Sequence, residues 1–364
     1  MHETIEQTSQ TRQVVEQLPL LMIADTSVPE ALGSKLMNGA TSLGLEPGRD
    51  IQVAYTSPAV TYSPSMQRLR GKVFFRLADR RSWEWWRFQN ELLRQIRFSK
   101  PKLVLVTGVL PLKSEIFHEL HNQKAHIINY LTDDPWNPIH RRRSFLRNLP
   151  LYDHIFSTKK ALCSRLEMAG TPSTSWLPFA YDPTLHHATE RNLTLNEPNV
   201  LFVGTGAAER LPWLATLENL PGLKRRIHGN NWKGLSTPGW DKQPAVTGEQ
   251  YCSAIQNADI VLGLLRDSNR DLSTDRSYEI GAIGGCGLYQ DSSEHRELLP
   301  NYPNEGFFKT PKQLREKVQH LMIHPKLRQH LRKLGSEALR KPENTYAARL
   351  QTMLKWSEQQ GASQ

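Results

Sequence analysis

Arg276 and Glu279 stand one helical turn apart, just after Thr274 and Asp275, in the stretch DLSTDRSYEIGAIGGCGLYQD from Asp271 to Asp291. A polar run ends at Thr274 or Asp275, and either side chain can cap the first turn of a helix. That helix carries Arg276, Tyr278 and Glu279 in its opening turns. Gly284 and Gly285 end it and turn the backbone into a short buried strand, Cys286 to Gln290. A helix N-terminus offers unpaired N–H groups and a partial positive charge, which suits a diphosphate. Arg276 adds a fixed cation, and Glu279, expected at the mouth of a cleft, can accept hydrogen bonds from neighbouring sugar hydroxyls. The same residues also fit a capped helix with a surface Arg–Glu pair, so this stretch alone leaves both readings open.

Two other loops carry polar groups at strand ends. Asn199 to Val203 reads as a buried strand running into GTGAAER. There Gly204 and Gly206 let a backbone approach a ligand closely, beside Thr205 and Arg210, and a helix is expected from about Ala207 to Asn219. After a strand at Arg225–His228, the loop GNNWKG adds His228, Gly229, Asn230 and Trp232 to the candidate binding set, although Trp232 fits a core position equally. Asp133-Asp134-Pro135 follows a further strand. The pair resembles metal-binding carboxylates, but Pro135 and the lack of clustered ligands favour a turn or an acceptor contact. Either carboxylate can act as a base, weakly unless desolvated. A leaving nucleoside diphosphate gains negative charge as its bond to a sugar breaks. Arg210, Arg276 and the N–H groups after Gly204 and Thr274 can stabilise that charge without a metal.

These loops need a frame, and strand–helix alternation supplies one. Strands are expected at Leu18–Ala24, Ile51–Tyr55, Lys102–Thr107, Ala125–Leu131 and His154–Ser157, with helices between them. Ser82 caps one whose Trp85, Phe88, Leu92 and Ile96 share a face. The pattern resumes with Asp259–Leu264, the helices Pro311–Ile323 and Lys326–Leu339, and a last helix at about Asn344–Glu358. Strand alternating with helix predicts parallel, doubly wound sheets. Residues 1–16 read as a loose polar leader, 56–81 as an irregular excursion, and Asp182–Pro198 as a linker. The expectation is therefore an α/β chain of two Rossmann-like domains, 17–185 and 186–342, facing across a cleft, with 343–364 returning to the first.

Composition narrows the classes. The 364 residues can bury two cores. Cys163, Cys252 and Cys286 lack both disulfide and metal-ligand spacing, which fits a reduced compartment. The N-terminus MHETIEQTSQTRQ lacks the regions of a signal peptide, and no apolar run is long enough to span a bilayer. A cytoplasmic protein is expected, at most peripheral to the inner face of the membrane. The formal net charge is +10, and residues 68–100 hold ten Lys/Arg against three acids. His140-Arg141-Arg142-Arg143 forms a second cluster. Such charge draws phosphorylated substrates, nucleic acid or an anionic surface. Trp83-Glu84-Trp85-Trp86-Arg87 suits a stacking platform or, with Trp85 inside, core packing.

The residues from about Ile128 to Met353 resemble the CgeB-like (spore-maturation protein) glycosyltransferases. The resemblance rests on Asp133-Asp134-Pro135, Phe202-Val203-Gly204 with Arg210, and His228-Gly229 with Trp232. Arg276-Ser277-Tyr278-Glu279-Ile280 before Gly284-Gly285, and Thr345-Tyr346 with Arg349, complete it. It implies the GT-B fold and transfer of a sugar from a nucleotide-sugar, held by the second domain, to an acceptor bound by the first. No metal or other cofactor is implied. In related retaining enzymes a Glu-x7-Glu pair grips the donor. Glu279 matches the second position, while the first is Asp271, one methylene shorter. The acceptor is left open among a glycan, a lipid-linked saccharide, a protein and a modified nucleic acid. Two other readings stand beside the transferase: a nucleic-acid-binding protein using the basic N-terminal half, and an inactive nucleotide-sugar-binding protein.

Overall fold

The computed structural model describes residues 20–56, 69–79, 81–188 and 197–361. The expected leader, residues 57–68 and 80 of the expected excursion, and 189–196 of the expected linker lie outside the described residues. The chain divides into two compact units, residues 1–178 with 346–364, and residues 179–345.

The first unit holds β1 (Leu20–Ala24), β2 (Ile51–Tyr55), β3 (Leu103–Thr107), β4 (His126–Leu131), β5 (His154–Ser157) and β6 (Thr174–Trp176). Their order is β2-β1-β3-β4-β5-β6, and every pair is parallel. LLMIA in β1 and LVLVT in β3 are buried at every position, as central parallel strands covered on both faces must be. The helix Trp83–Ser99 starts at Ser82, whose hydroxyl accepts from the Trp85 N–H at 3.1 Å, and buries Trp85, Leu92 and Ile96. Its Trp85 indole donates to the Pro111 carbonyl at 3.0 Å, so this tryptophan is core. The last helix, Tyr346–Gly361, packs on the helix Leu32–Ser42.

The second unit holds β7 (Val200–Val203), β8 (Arg225–His228), β9 (Asp241–Gln243), β10 (Ile260–Gly263), β11 (Gly287–Gln290) and β12 (Phe307–Phe308). Their order is β12-β11-β10-β7-β8-β9, again parallel throughout. From β7 the chain first builds outward through β8 and β9, then crosses back to build β10, β11 and β12 on the other side. The order reverses between β7 and β10. In doubly wound sheets that reversal opens a crevice at the carboxyl ends of the two strands.

Several local expectations fail for identifiable reasons. The region 56–81 contains a helix, Leu69–Leu77. A single helix from Ala207 to Asn219 does not form. A 3-10 turn, Ala208–Arg210, leads into a short helix, Leu211–Ala215, and the Leu217 and Glu218 carbonyls turn to the Arg225 guanidinium at 2.5 and 2.8 Å. The start of the expected linker is ordered within the second unit. The Asp182 carboxylate accepts from the Thr184 N–H and hydroxyl, and the Asp182 N–H donates to His186 Nδ1 at 3.0 Å. Among the described residues no helix is long and apolar enough to cross a membrane.

Candidate functional site

The crevice between β7 and β10 is a pocket of about 210 Å³, whose lining includes Phe179, Gly204, Arg210, Arg266, Thr274 and Arg276. Three guanidinium groups thus meet at one opening. Arg210 is buried and lies over the Phe202 ring at 5.0 Å, with one terminal nitrogen donating to the Thr205 carbonyl. Its Nε is also buried and makes no hydrogen bond. Burial, then repulsion from Arg266 and Arg276, pulls its pKa down to about 10 against the pull of Asp271 and Glu209. A cation destabilised by like neighbours beside an open pocket is arranged to receive an anion.

Asp271 serves that arrangement from behind. Its carboxylate accepts from Arg266 Nε at 3.0 Å and from Asn269 Nδ2 at 2.9 Å. The helix Asp275–Ile283 begins with a capping box in which the Thr274 side chain accepts from the Ser277 N–H. In return, Ser277 Oγ accepts from the Thr274 N–H at 2.9 Å. Behind Ser277 lies buried His295. Its Nδ1 donates to the Gln290 carbonyl at 2.7 Å, so Nε2 is left to accept from the Ser277 hydroxyl at 2.7 Å. Burial pulls the His295 pKa down to about 4, and the neutral ring suits a position beside the positive end of a helix. Asp275 opens the same helix at the pocket wall.

Glu279 departs from expectation. It is 1% exposed, not at the mouth of a cleft, and forms no surface pair. One carboxylate oxygen accepts from the Tyr251 hydroxyl at 2.9 Å and from Arg276, and the other lies 3.3 Å from His186 Nε2. Because His186 Nδ1 accepts the Asp182 N–H, the neutral ring carries its proton on Nε2 and donates it to Glu279. The Arg276 side chain remains 37% accessible and lies over the Tyr251 ring at 4.7 Å. Burial opposes its charge, but Glu279 prevails and holds its pKa above the ordinary value. Burial and the nearby carboxylate together raise the Tyr251 phenol.

The two glycine loops do converge, but on each other. A Cβ on Gly229 would lie 2.0 Å from the Gly204 carbonyl oxygen, and one on Gly206 would lie 2.3 Å from that of Asn231. The Gly206 N–H donates to the Asn230 carbonyl at 2.8 Å, and the buried Trp232 indole donates to the Gly204 carbonyl at 2.9 Å. These glycines therefore allow backbone to meet backbone, which sets the shape of the Gly204–Thr205 rim. His228 Nδ1 bonds the Pro244 carbonyl at 3.0 Å, at the end of β8. Tyr278 is core. Gly284 and Gly285 lie at the other end of their helix from the pocket. Gly284 closes the helix in the left-handed region with φ +98, and Gly285 packs on Ile255 and Ile280.

Asp133 and Asp134 belong to the first unit, at the carboxyl end of β4, and they differ. The Asp134 carboxylate is buried and accepts the Trp136 N–H at 2.8 Å, closing the turn. Asp133 lies 3.5 Å from His140 Nε2 and remains partly exposed. Among the described residues no group of three or more His, Cys, Asp or Glu could hold a metal ion. Arg266, Tyr251, His186 and Phe179 were absent from the sequence-based set. Only Arg266, just past the end of β10, carried a positional signal.

Residues 210–355 match a glycosyl transferase-like family. Among curated proteins there is no significant match. Solved structures align over nearly the whole chain. T4 phage BGT in complex with its UDP-glucose substrate superposes with a TM-score of 0.58 at 12% identity, covering 93% of this chain and 98% of that one. The fold is GT-B-like. S. aureus MnaA in a structure with UDP gives 0.54 at 12% identity, covering 91% and 94%. The pneumococcal O-GlcNAc transferase GtfA, in complex with UDP and GlcNAc, gives 0.54 at 12% identity, covering 75% of this chain and 59% of its own.

Proposed function

We propose that this protein is a metal-independent glycosyltransferase that takes a sugar from a nucleoside-diphosphate sugar. The observation that carries the proposal is the meeting of Arg210, Arg266 and Arg276 at one pocket, where the order of the second sheet reverses. Repulsion among them is relieved by a ligand with more than one negative charge, which a diphosphate supplies. The transferase-like match over residues 210–355 and the UDP-bound proteins that share the fold support the same donor class.

In the reaction, the bond between the anomeric carbon and the diphosphate oxygen breaks, and the electron pair leaves with the diphosphate. The acceptor atom bonds the anomeric carbon and gives its proton to a base. Arg276, Arg210 and the capped N-terminus at Thr274 counter the charge that grows on the leaving group. Because Glu279 pins one terminal nitrogen of Arg276, the guanidinium is held ready before the donor arrives. Of the two carboxylates expected to offer a base to an acceptor, Asp134 holds its turn and Asp133 is partly exposed beside His140. Membership of the CgeB-like group and retention of configuration belong to the same proposal. Asp271, at the first position of the carboxylate pair, is engaged with Arg266.

Calorimetry with UDP, GDP and their sugar conjugates tests the proposal. Binding of at least one diphosphate, unchanged by a chelator and lost in the double variant Arg210→Met, Arg276→Met, is expected. If no nucleoside diphosphate binds, or if the double variant binds it as well as the parent, the donor site is not here.

A further inference from the structure

We propose that the first unit docks on an anionic phospholipid surface through the helices Leu69–Leu77 and Trp83–Ser99 and the neighbouring residues Arg141–Arg143, which lead into the helix Arg143–Arg147. Val73 and Leu77 lie four residues apart, on one side of the first of these helices, and both are exposed, Leu77 at 83%. Phe74 on the same helix stacks on Trp83 at 4.3 Å, and Trp83 is itself 57% exposed. One turn on, the Trp86 ring is approached by the Arg81 guanidinium at 5.5 Å and by Lys113 Nζ at 4.7 Å. The second basic cluster joins this surface through Asp79, whose carboxylate accepts from the N–H groups of Arg143 and Ser144 at 2.7 Å each. Exposed apolar side chains, indoles and guanidinium groups thus stand on contacting elements of the first unit.

Each group type has its place at a bilayer boundary. Aliphatic side chains enter the edge of the acyl region, indoles settle at headgroup depth, and guanidinium groups meet the phosphates. A nucleic acid would use the cations and the indoles but gives exposed Leu77 and Val73 no favourable contact. The aliphatic residues therefore decide for lipid. The cations make the surface selective, since each Lys or Arg near an anionic leaflet strengthens attachment about fivefold. The proposal is independent of the donor site, all of whose residues belong to the other unit.

Flotation of the full chain with vesicles tests it. Vesicles of equal parts phosphatidylglycerol and phosphatidylcholine should carry the protein up, pure phosphatidylcholine should not, and added salt should weaken the attachment. Leu77→Ser together with Trp83→Ser should reduce partitioning about tenfold. Arg141→Ser with Arg143→Ser should reduce it about fivefold per arginine. The arginine pair is on the surface, so its result stands even if the first pair disturbs folding, which melting temperature reports. The proposal is overturned if the parent fails to float with the anionic vesicles, or if both double variants float as the parent does. It is equally overturned if the parent ignores vesicles but binds a DNA or RNA oligonucleotide that the same variants lose.

Discussion

At Arg210, binding and stability are set against each other. Its buried Nε has no partner, and its charge is opposed by Arg266 and Arg276. Arg210→Met keeps the packing over Phe202 and removes the charge. It should leave the melting temperature unchanged or higher while weakening nucleoside-diphosphate binding by roughly ten- to a hundredfold, the worth of a hydrogen bond to a charged group. Calorimetry and thermal denaturation on the same variant read both effects. Glu279 should behave differently, because its burial makes it part of the packing. Glu279→Ala should lower both the melting temperature and donor affinity, since it leaves Tyr251, His186 and Arg276 without their shared acceptor. His186→Gln keeps an N–H donor near the Nε2 position and His186→Leu does not, so only the leucine variant should approach the Glu279→Ala phenotype. Donor affinity equal in the two His186 variants would remove that residue from the network.

Among the elements, the paired loops after β7 and β8 set the pocket rim by close backbone contact, fixed further by the Trp232 indole. Gly229→Ala puts a methyl group 2.0 Å from the Gly204 carbonyl oxygen, so one of the loops must move. Overpacking of this kind typically costs about 1–3 kcal/mol. Because the displaced atom belongs to the rim, donor affinity should fall along with unfolding free energy in urea. Trp232→Phe keeps most of the packing but loses the indole donor to the same carbonyl, and should show a smaller loss of both. The helix Asp275–Ile283 supplies a second test, because its N-terminus forms a wall of the pocket. Thr274→Ala breaks the capping box and should cost about 1 kcal/mol of stability, with the pocket end of the helix loosening first. Hydrogen exchange at Ser277 should speed up, while exchange at Ile283 should not.

At the scale of the whole molecule, each unit encloses a histidine that folding keeps neutral. His154 in β5 bonds the Ser173 and Ser175 hydroxyls, and His295 bonds Ser277 and the Gln290 carbonyl. Burial pulls both pKa values from 6.5 down to about 4. In acid the unfolded chain takes up these protons first, so stability is full above about pH 6.5 and falls as pH drops toward 4. Urea unfolding between pH 7.5 and 4 should show that decline, and His295→Asn should flatten the part that belongs to the second unit.

The alternation of apolar runs with helical segments determined two parallel sheets, because a strand buried on both faces must be written almost wholly in apolar residues. Thr274 as a cap, Gly284 as a stop, and Arg210 and Arg276 near strand ends were legible for the same local reason. β6, β9 and β12 were not. β6 and β9 are three-residue edge strands with no buried residue, β12 is only two residues long, and edges carry no buried pattern. The partners of Glu279 were also out of reach. Tyr251 stands on the helix Gly248–Asn257, and His186 lies in a segment that reads as polar linker. Nothing in local spacing says that either will close over a carboxylate, and tertiary packing alone put a carboxylate expected at the mouth of a cleft into a buried network. The same holds for Gly206 and Gly229, whose small size was plain in the sequence. That each faces the other's loop was decided only when β7 and β8 paired.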